Sequence, residues 1–508
     1  MKLVKIIKAG LLLFDKKNCG FIFILVLLLF LQLFFLNSDP SLYLNSLRGP
    51  WTDPGLYSAQ VKSFVSTGNW MMEKSPCLLI TPLYNLILLI PFYIFGTSLI
   101  VVKWVNMVAF ATLLFVSCRL NKTMISVLIL FLILFGFQFQ IFEFLHIGLV
   151  ELMISGAFIL LISIIAHLDL REKKFNHVQV IIITLISFGI ALLKIQYAYA
   201  LGIFPIYVLF SFLNKEINAK CFLKYAVWIG GFTFLLIIGY YLLWILPNKC
   251  FFIDTMSSVD ASKYYGWDDS IEGLYVNWKR LFVSWENRFN TYLFLGTLII
   301  GLINVFNKNQ AQWIKKLNLV LIIWLILEAT KLFQVFLPTR YVLSTYIALG
   351  LFACVQVYSL FFIVKNKVTR FSMLSVLGFL CLVISWQNAV CINRSFKERK
   401  YTLKKMNNYF NKTDQFNGLL IGSWAASCSA QSGLNAIPVW EGYFNCNDSI
   451  LNNKDVIAVI TELDEEDSNY CFVMQNINLT SQSDSIKTFK VGKWSLNTYW
   501  ISNRSLKF

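Results

Sequence analysis

Eleven apolar runs, each 16 to 24 residues long, recur along the 508-residue chain, and that repetition decides what it can become. They lie near 20–36, 99–118, 125–142, 149–168, 178–193, 197–213, 225–246, 291–306, 317–335, 341–364 and 371–391. About 20 apolar residues cross a bilayer as a helix, whereas barrel strands are about 10 residues long and alternate, which these runs do not. Only 14% of the residues are charged and 57% are apolar, against about 25% charged in soluble domains. The fold class expected is an all-α polytopic membrane protein of about 11 transmembrane helices, with juxtamembrane helices beside them.

Charge orients the chain. The net charge of +17 comes largely from short basic loops, such as Arg171-Glu172-Lys173-Lys174 and Lys308 to Lys316. Nucleic acid is not an expected partner, because no basic domain stands apart from the spans. The run 77–96 is a twelfth apolar segment. If it crossed, the basic loops would fall opposite the basic N-terminus, against the positive-inside bias. Pro76, Pro82 and Pro91 also interrupt it, each removing a backbone donor, so it reads as a re-entrant or surface-lying helix. No small-residue cleavage site follows the first run, which therefore reads as a retained span.

Eleven spans with the N-terminus inside place the C-terminus outside. A transmembrane domain is expected over 1–394, with outer loops at 37–98 and 247–290, and a small extracytoplasmic α/β domain over 395–508. Within the latter, 418–422, 455–460 and 498–501 read as strands. The location expected is the cytoplasmic membrane. The eleven cysteines include no CxxC pair, so a metal finger is excluded. One disulfide among Cys428, Cys446 and Cys471 is admitted, with the pair left open.

The chemistry-bearing residues gather at the outer ends of spans. Asp53 stands just outside the first span in Thr52-Asp53-Pro54-Gly55-Leu56-Tyr57, before Gly68-Asn69-Trp70. It lies near the start of an amphipathic surface helix, where the helix dipole favours a carboxylate. The alternative is that Thr52 or Asp53 is a simple N-cap. Glu151 opens the fourth span after Glu143 and His146, and an acid at a membrane boundary is costly unless paired or functional. Lys194 ends the fifth span, where a lysine can also snorkel to the interface. Arg340-Tyr341 opens the tenth, and an arginine fork suits a phosphate. In the second outer loop, Asp268, Asp269 and Glu272 read as acceptor contacts or a solvated face. Tyr264, Tyr265 and Trp267 read as sugar-stacking or interfacial aromatics.

The succession of an acid-x-Gly-x-Tyr helix, Pro82-Leu83-Tyr84, an acid before span four, Lys194 after Gly189-Ile190-Ala191-Leu192-Leu193, and Arg340-Tyr341 resembles the GT-C glycosyltransferases. It resembles in particular their protein O-mannosyltransferase and lipid A aminoarabinose transferase group, over residues 20–345. The resemblance implies a GT-C fold and an inverting glycosyltransferase that takes a sugar from a polyprenyl-phosphate carrier to a lipid, glycan or protein acceptor. It implies Asp53 as catalytic base, Glu151 as a second catalytic acid position, and Lys194 and Arg340 on the donor phosphate. Tyr57, Tyr84, Tyr197, Tyr341 and Trp267 would line the substrate groove. No cofactor is required, although a divalent cation on Glu143, His146 and Glu151, as in some relatives, stands as an alternative to a solvated cluster. Two departures are plain: Glu151 replaces the family's aspartate, and the second proline of its Arg-Tyr element is absent. Two rivals remain. An O-antigen polymerase or ligase would use arginines such as Arg280 and Arg288. A lipid-linked sugar transporter or flippase predicts inverted repeats, and no repeat is visible.

Overall fold

The computed structural model describes residues 16–42, 48–70, 80–136, 138–170, 175–250, 267–279, 311–333, 338–363, 366–412, 418–439, 455–463 and 466–501, with single residues 253, 297, 301 and 445. The chain is mostly helical and ends in a small sheet. The helices are α1 (Lys16–Gln32), α2 (Gly49–Thr67), α3 (Pro82–Phe95), α4 (Leu99–Leu120), α5 (Lys122–Phe131), α6 (Phe139–Ile147), α7 (Val150–His167), α8 (His177–Leu193), α9 (Ala200–Leu213) and α10 (Ala219–Tyr240). There follow α11 (Trp267–Trp278), α12 (Gln312–Ala329), α13 (Leu343–Ile363), α14 (Lys367–Lys397), α15 (Thr402–Lys412), α16 (Ala425–Cys428), α17 (Glu466–Met474) and α18 (Leu479–Gln482).

Among the described residues five helices are long and apolar enough to cross a membrane: Leu99–Leu120, Val150–His167, Ile195–Leu213, Ala219–Ile245 and Arg340–Ser359. The expected eleven are thus not all met. Cys19–Gln32 and His177–Leu193 are shorter apolar helices, α12 carries Lys315, Lys316 and Glu328, and the run 291–306 falls almost wholly outside the described residues. The run 125–142 does not form one straight span. After α5 a π-turn over Leu132–Gly136 breaks it, and the chain bends by 89° into α6. The run 77–96 yields α3, whose 14 residues make about 21 Å of helix, short of the roughly 30 Å hydrocarbon core.

Burial sorts the spans. In α7 83% of the central residues are buried, against 6% in α10, so α7 is the centre of the bundle and α10 its rim. Leu223, Val227, Phe234, Leu235 and Leu243 of that rim are exposed apolar side chains, as lipid contact requires. Helices α4 and α7 approach closely at Gly156, where a Cβ would stand 3.1 Å from both Leu113 and Phe110.

Helix α14 has 31 residues, about 46 Å of helix. It leads to the polar C-terminal part. Asp39, just after α1, accepts from the amides of Thr402 and Leu403 at 2.9 and 3.1 Å, capping α15 from 363 residues away. The sheet comprises β1 (Leu419–Ile421), β2 (Asn435–Ile437), β3 (Val456–Glu462), β4 (Ser485–Val491) and β5 (Trp494–Trp500). Its order is β2-β1-β3-β5-β4, with β1 parallel to β2 and β3 and β5 antiparallel to β3 and β4. All three expected strands are present. Cys471 is disulfide-bonded to a partner outside the described residues, and Cys428 is a free thiol.

Gly156→Val should force α4 and α7 apart, at a cost of about 1–3 kcal/mol for overpacking. The expected result is a lower midpoint of thermal unfolding in detergent, and an unchanged midpoint would refute the close approach.

Candidate active site

Helix α2 carries the first acid. Its start is prepared by Pro50 in the first turn, and its end by Gly68, whose φ of 74° is left-handed and therefore suits glycine. The helix begins at Gly49, earlier than its apolar pattern indicates, so Asp53 is a helical residue and not an N-cap. Thr52 Oγ1 turns back to the Arg48 carbonyl at 3.3 Å. Nor does α2 lie open on a surface: every residue from Gly49 to Ser63 is buried. Helix α3 packs on one side and the turn α16 of the C-terminal part on another.

Asp53 meets Arg340 across the fold, Oδ2 to Nε at 2.7 Å. Arg340 comes from the 3-10 turn Thr339–Val342 that leads into α13. Its guanidinium sits against Gly49, where a Cβ would come within 2.2 Å of it, so only glycine leaves it room. Lys194 stands in extended backbone at the break between α8 and the 3-10 turn Ile195–Tyr197. Its ammonium pairs with Glu151 Oε1 at 2.6 Å and donates to the Tyr57 hydroxyl at 3.0 Å. Tyr341 separates the cations: its ring centroid is 4.4 Å from Lys194 Nζ and 4.9 Å from Arg340 Cζ.

This is a buried, charge-balanced quartet of two carboxylates and two cations. Asp53, Glu151 and Lys194 are each at most 2% exposed and Arg340 is 9% exposed. Burial lifts the Asp53 carboxyl above its ordinary value, with the Arg340 charge pulling the other way. Glu151 Oε2 has no hydrogen-bond partner among the described residues. Buried polar atoms are rarely left so, and this one offers a ligand an acceptor beside Lys194.

A second group, not anticipated from sequence, adjoins the first. Glu328 accepts from Trp324 Nε1 at 3.0 Å, from Lys331 at 2.7 Å and from Thr345 at 2.7 Å, as well as from the Tyr199 hydroxyl. Lys331 also donates to the Tyr341 carbonyl at 3.0 Å and lies 4.2 Å from the ring of Tyr197. It thereby fixes the backbone that bears Arg340. Two opposite charges three residues apart inside an apolar run were the available signal.

The remaining expectations divide. Tyr57, Tyr197 and Tyr341 are brought to the quartet or its neighbour. Tyr84 lies one layer away, accepting from Asn106 at 2.7 Å and reaching the Gly148 carbonyl at 3.4 Å, so it braces the turn before Glu151. The side chains of Trp267, Asp268 and Asp269 lie outside the described residues, as do Tyr264, Tyr265, Arg280 and Arg288. Glu272 is exposed. Glu143, His146 and Glu151 do not converge. The bend into α6 turns Glu143 and His146 towards each other at 3.3 Å and His146 towards Gln32 at 2.8 Å. Gly148, with φ of 89°, then redirects the chain so that Glu151 faces Lys194. Among the described residues no three His, Cys, Asp or Glu side chains form a metal-holding group.

No protein-family model and no curated protein matches the chain. Solved structures do. ArnT from Cupriavidus metallidurans in the apo state is similar over 95% of this chain and 98% of that one, at 9% identity and a TM-score of 0.59. ArnT bound to undecaprenyl phosphate is similar over 96% and 99%, at 11% identity and a TM-score of 0.55. The chain has the GT-C fold. AglB from Archaeoglobus fulgidus, an archaeal oligosaccharyltransferase in complex with an inhibitory peptide and a dolichol-phosphate, extends the likeness across 90% of this chain and 71% of that one, at 11% identity and a TM-score of 0.53. Within the GT-C fold of this chain, the quartet ties together the ends of α2, α7, α8 and α13.

Breaking one buried pair leaves an uncompensated charge, at a cost of about 3–5 kcal/mol. Glu151→Gln should therefore lower thermal stability sharply, and Glu151→Gln with Lys194→Met should recover most of the loss. Additive losses in that double-mutant cycle would show that the two side chains do not depend on each other.

Proposed function

We propose that the protein is an inverting glycosyltransferase that moves a sugar from a polyprenyl-phosphate carrier to a lipid, glycan or protein acceptor at the outer face of the cytoplasmic membrane. The observation that carries this is the buried convergence of Asp53, Arg340, Lys194, Glu151 and Tyr341. ArnT has been crystallised with undecaprenyl phosphate and AglB with a dolichol-phosphate, and a carrier of that chemistry fits two adjacent cations. The positive-inside bias of the basic loops supports an N-terminus in the cytoplasm and a C-terminal part outside.

Arg340 and Lys194 hold the phosphate, Arg340 through its fork. An acceptor oxygen attacks the anomeric carbon as the bond from that carbon to the phosphate oxygen breaks. The acceptor proton passes to Asp53, and polyprenyl phosphate leaves with both electrons of the broken bond. Stabilising the charge that grows on this phosphate is the main electrostatic task. Glu151 holds Lys194 at the 3.0 Å distance from Tyr57 that fixes its direction. When the phosphate draws Arg340 away, Asp53 loses the opposite charge that favours its ionised form and becomes a stronger base as the donor arrives. No metal ion is invoked.

The test is release of polyprenyl phosphate from a labelled polyprenyl-phosphate hexose or pentose by purified protein. Asp53→Asn should lower release on the order of 10²- to 10⁴-fold, the usual range for a lost general base, while polyprenyl-phosphate binding persists. Full activity in this variant would remove Asp53 from the role, and no release by wild type across several sugars and acceptors would sink the assignment itself.

The base must be ionised to work, so release should fall as pH drops through the Asp53 pKa. Burial raises that pKa, which places the acid limb of the profile above the ordinary aspartate value of about 3.9. A limb at or below that value would contradict the buried base.

A further inference from the structure

We propose that the C-terminal part of the chain belongs to the active site, and that the Ser427 hydroxyl is a positioning group for Asp53. This rests on the assignment of Asp53 as the base. Ser427 lies in α16, a single buried turn between β1 and β2. Its Oγ donates to the Thr52 carbonyl at 2.8 Å and accepts from the Gly55 amide at 3.2 Å. One oxygen thus bridges the backbone on both sides of Asp53-Pro54. Pro54 has no N–H, so the helix lacks one of its own bonds there, at the turn that presents the carboxylate.

The approach is as close as the backbone allows. A Cβ on Gly55 would lie 2.4 Å from both Ser427 N and Ser427 Oγ. The glycine of the acid-x-Gly-x-Tyr motif is therefore required by a contact 372 residues away, not by a turn of its own. The seat of α16 is firm. Asn407 Nδ2 donates to the Ser427 carbonyl at 2.8 Å while its Oδ1 accepts from Gln431 N at 3.1 Å. Gly422, with φ of 130°, leaves room for the Ile460 carbonyl, which a Cβ would meet at 2.0 Å.

Contacts on either side fasten the rest of α2 to the same body. Arg48 pairs with Glu462 of β3 at 3.3 Å, and Trp51 packs on Trp494 with ring centroids 4.9 Å apart. Lys62, 5% exposed, donates to the carbonyls of Ser429 and Leu434, the latter at 2.7 Å. These hold the helix, while among the described residues it is the Ser427 hydroxyl that bonds to the backbone on both sides of the carboxylate. An error of about 1 Å in a catalytic group costs up to about 10²-fold in rate, so a single oxygen at this place has a measurable consequence.

The test compares Ser427→Ala with Ser429→Ala in purified full-length protein. Among the described residues Ser429 Oγ, which caps α16, bonds only back to Ala425 O at 2.7 Å, which makes it a matched control. Ser427→Ala should lower kcat for polyprenyl phosphate release about tenfold to a hundredfold, with binding of polyprenyl phosphate unchanged within about twofold. Amide exchange in 49–67 should accelerate about tenfold, while exchange in the sheet stays at the wild-type rate. Ser429→Ala should change neither. Gly55→Ala should reproduce the Ser427→Ala pattern, because it pushes the same surfaces apart. Wild-type exchange over 49–67 in Ser427→Ala would overturn the proposal, as would acceleration spread equally through the sheet. If wild type releases no polyprenyl phosphate, the enzymatic assignment fails, while the exchange comparison still decides whether Ser427 holds this turn.

Discussion

A charge removed from water must find a partner, and this molecule is organised around four that do. Asp53, Glu151, Lys194 and Arg340 are nearly inaccessible to solvent, where desolvating each ion costs several kcal/mol that only a close counterion offsets. Each arrives on a different element, so balancing the charge also fixes where four chain segments end. A displacement of any one would strand an ion. The Glu328–Lys331 pair, held at 2.7 Å, applies the same constraint beside it and fixes the carbonyl of Tyr341. The geometry of the site is therefore enforced by solvation rather than by packing alone.

Regular helix does not hold all four of these side chains, since Lys194 and Arg340 stand outside it. Irregular backbone supplies the rest. Gly49 lets the Arg340 guanidinium lie against α2, Gly148 reverses the chain before Glu151 in a left-handed conformation, and Lys194 occupies an extended break between two helices. Such breaks survive in a membrane protein only where protein covers the freed backbone groups. Here the bundle covers the breaks from one side and the C-terminal sheet with its α16 turn covers α2 from the other.

The legible part of this site was the part written locally. Asp53, Lys194 and Arg340 stand at the ends of apolar runs, where an ionisable residue is conspicuous, and the order of those ends along the chain is what carried the resemblance to GT-C enzymes. What escaped was long-range or conformational. No local pattern predicts that Ser427 returns to Thr52 across 375 residues, or that Gly55 serves a contact instead of a turn. The break at Leu132–Gly136 was hidden because Phe, Leu and Ile fill a bent apolar segment as readily as a straight one. Glu328 and Lys331 were absorbed into a run counted as apolar. Glu143, His146 and Glu151 are near in sequence, yet the bend and Gly148 point them apart.

Charge balance also bears on how such a site selects its substrates. On the proposed reading, two carboxylates and two cations attract an anionic phosphate only weakly as a whole, so capture would proceed by exchange, the phosphate replacing a carboxylate on one of the cations. The displaced carboxylate is then buried without a partner, a state that costs about as much as the pair had returned. A hydroxyl or amine that donates to it removes that cost. On the proposed reading, donor binding at Arg340 thus creates at Asp53 the demand that an acceptor meets. On that reading the neutral quartet would tie phosphate recognition to acceptor activation, and the burial that made the quartet necessary would hold out water, which could satisfy the freed carboxylate without transfer to the proper acceptor.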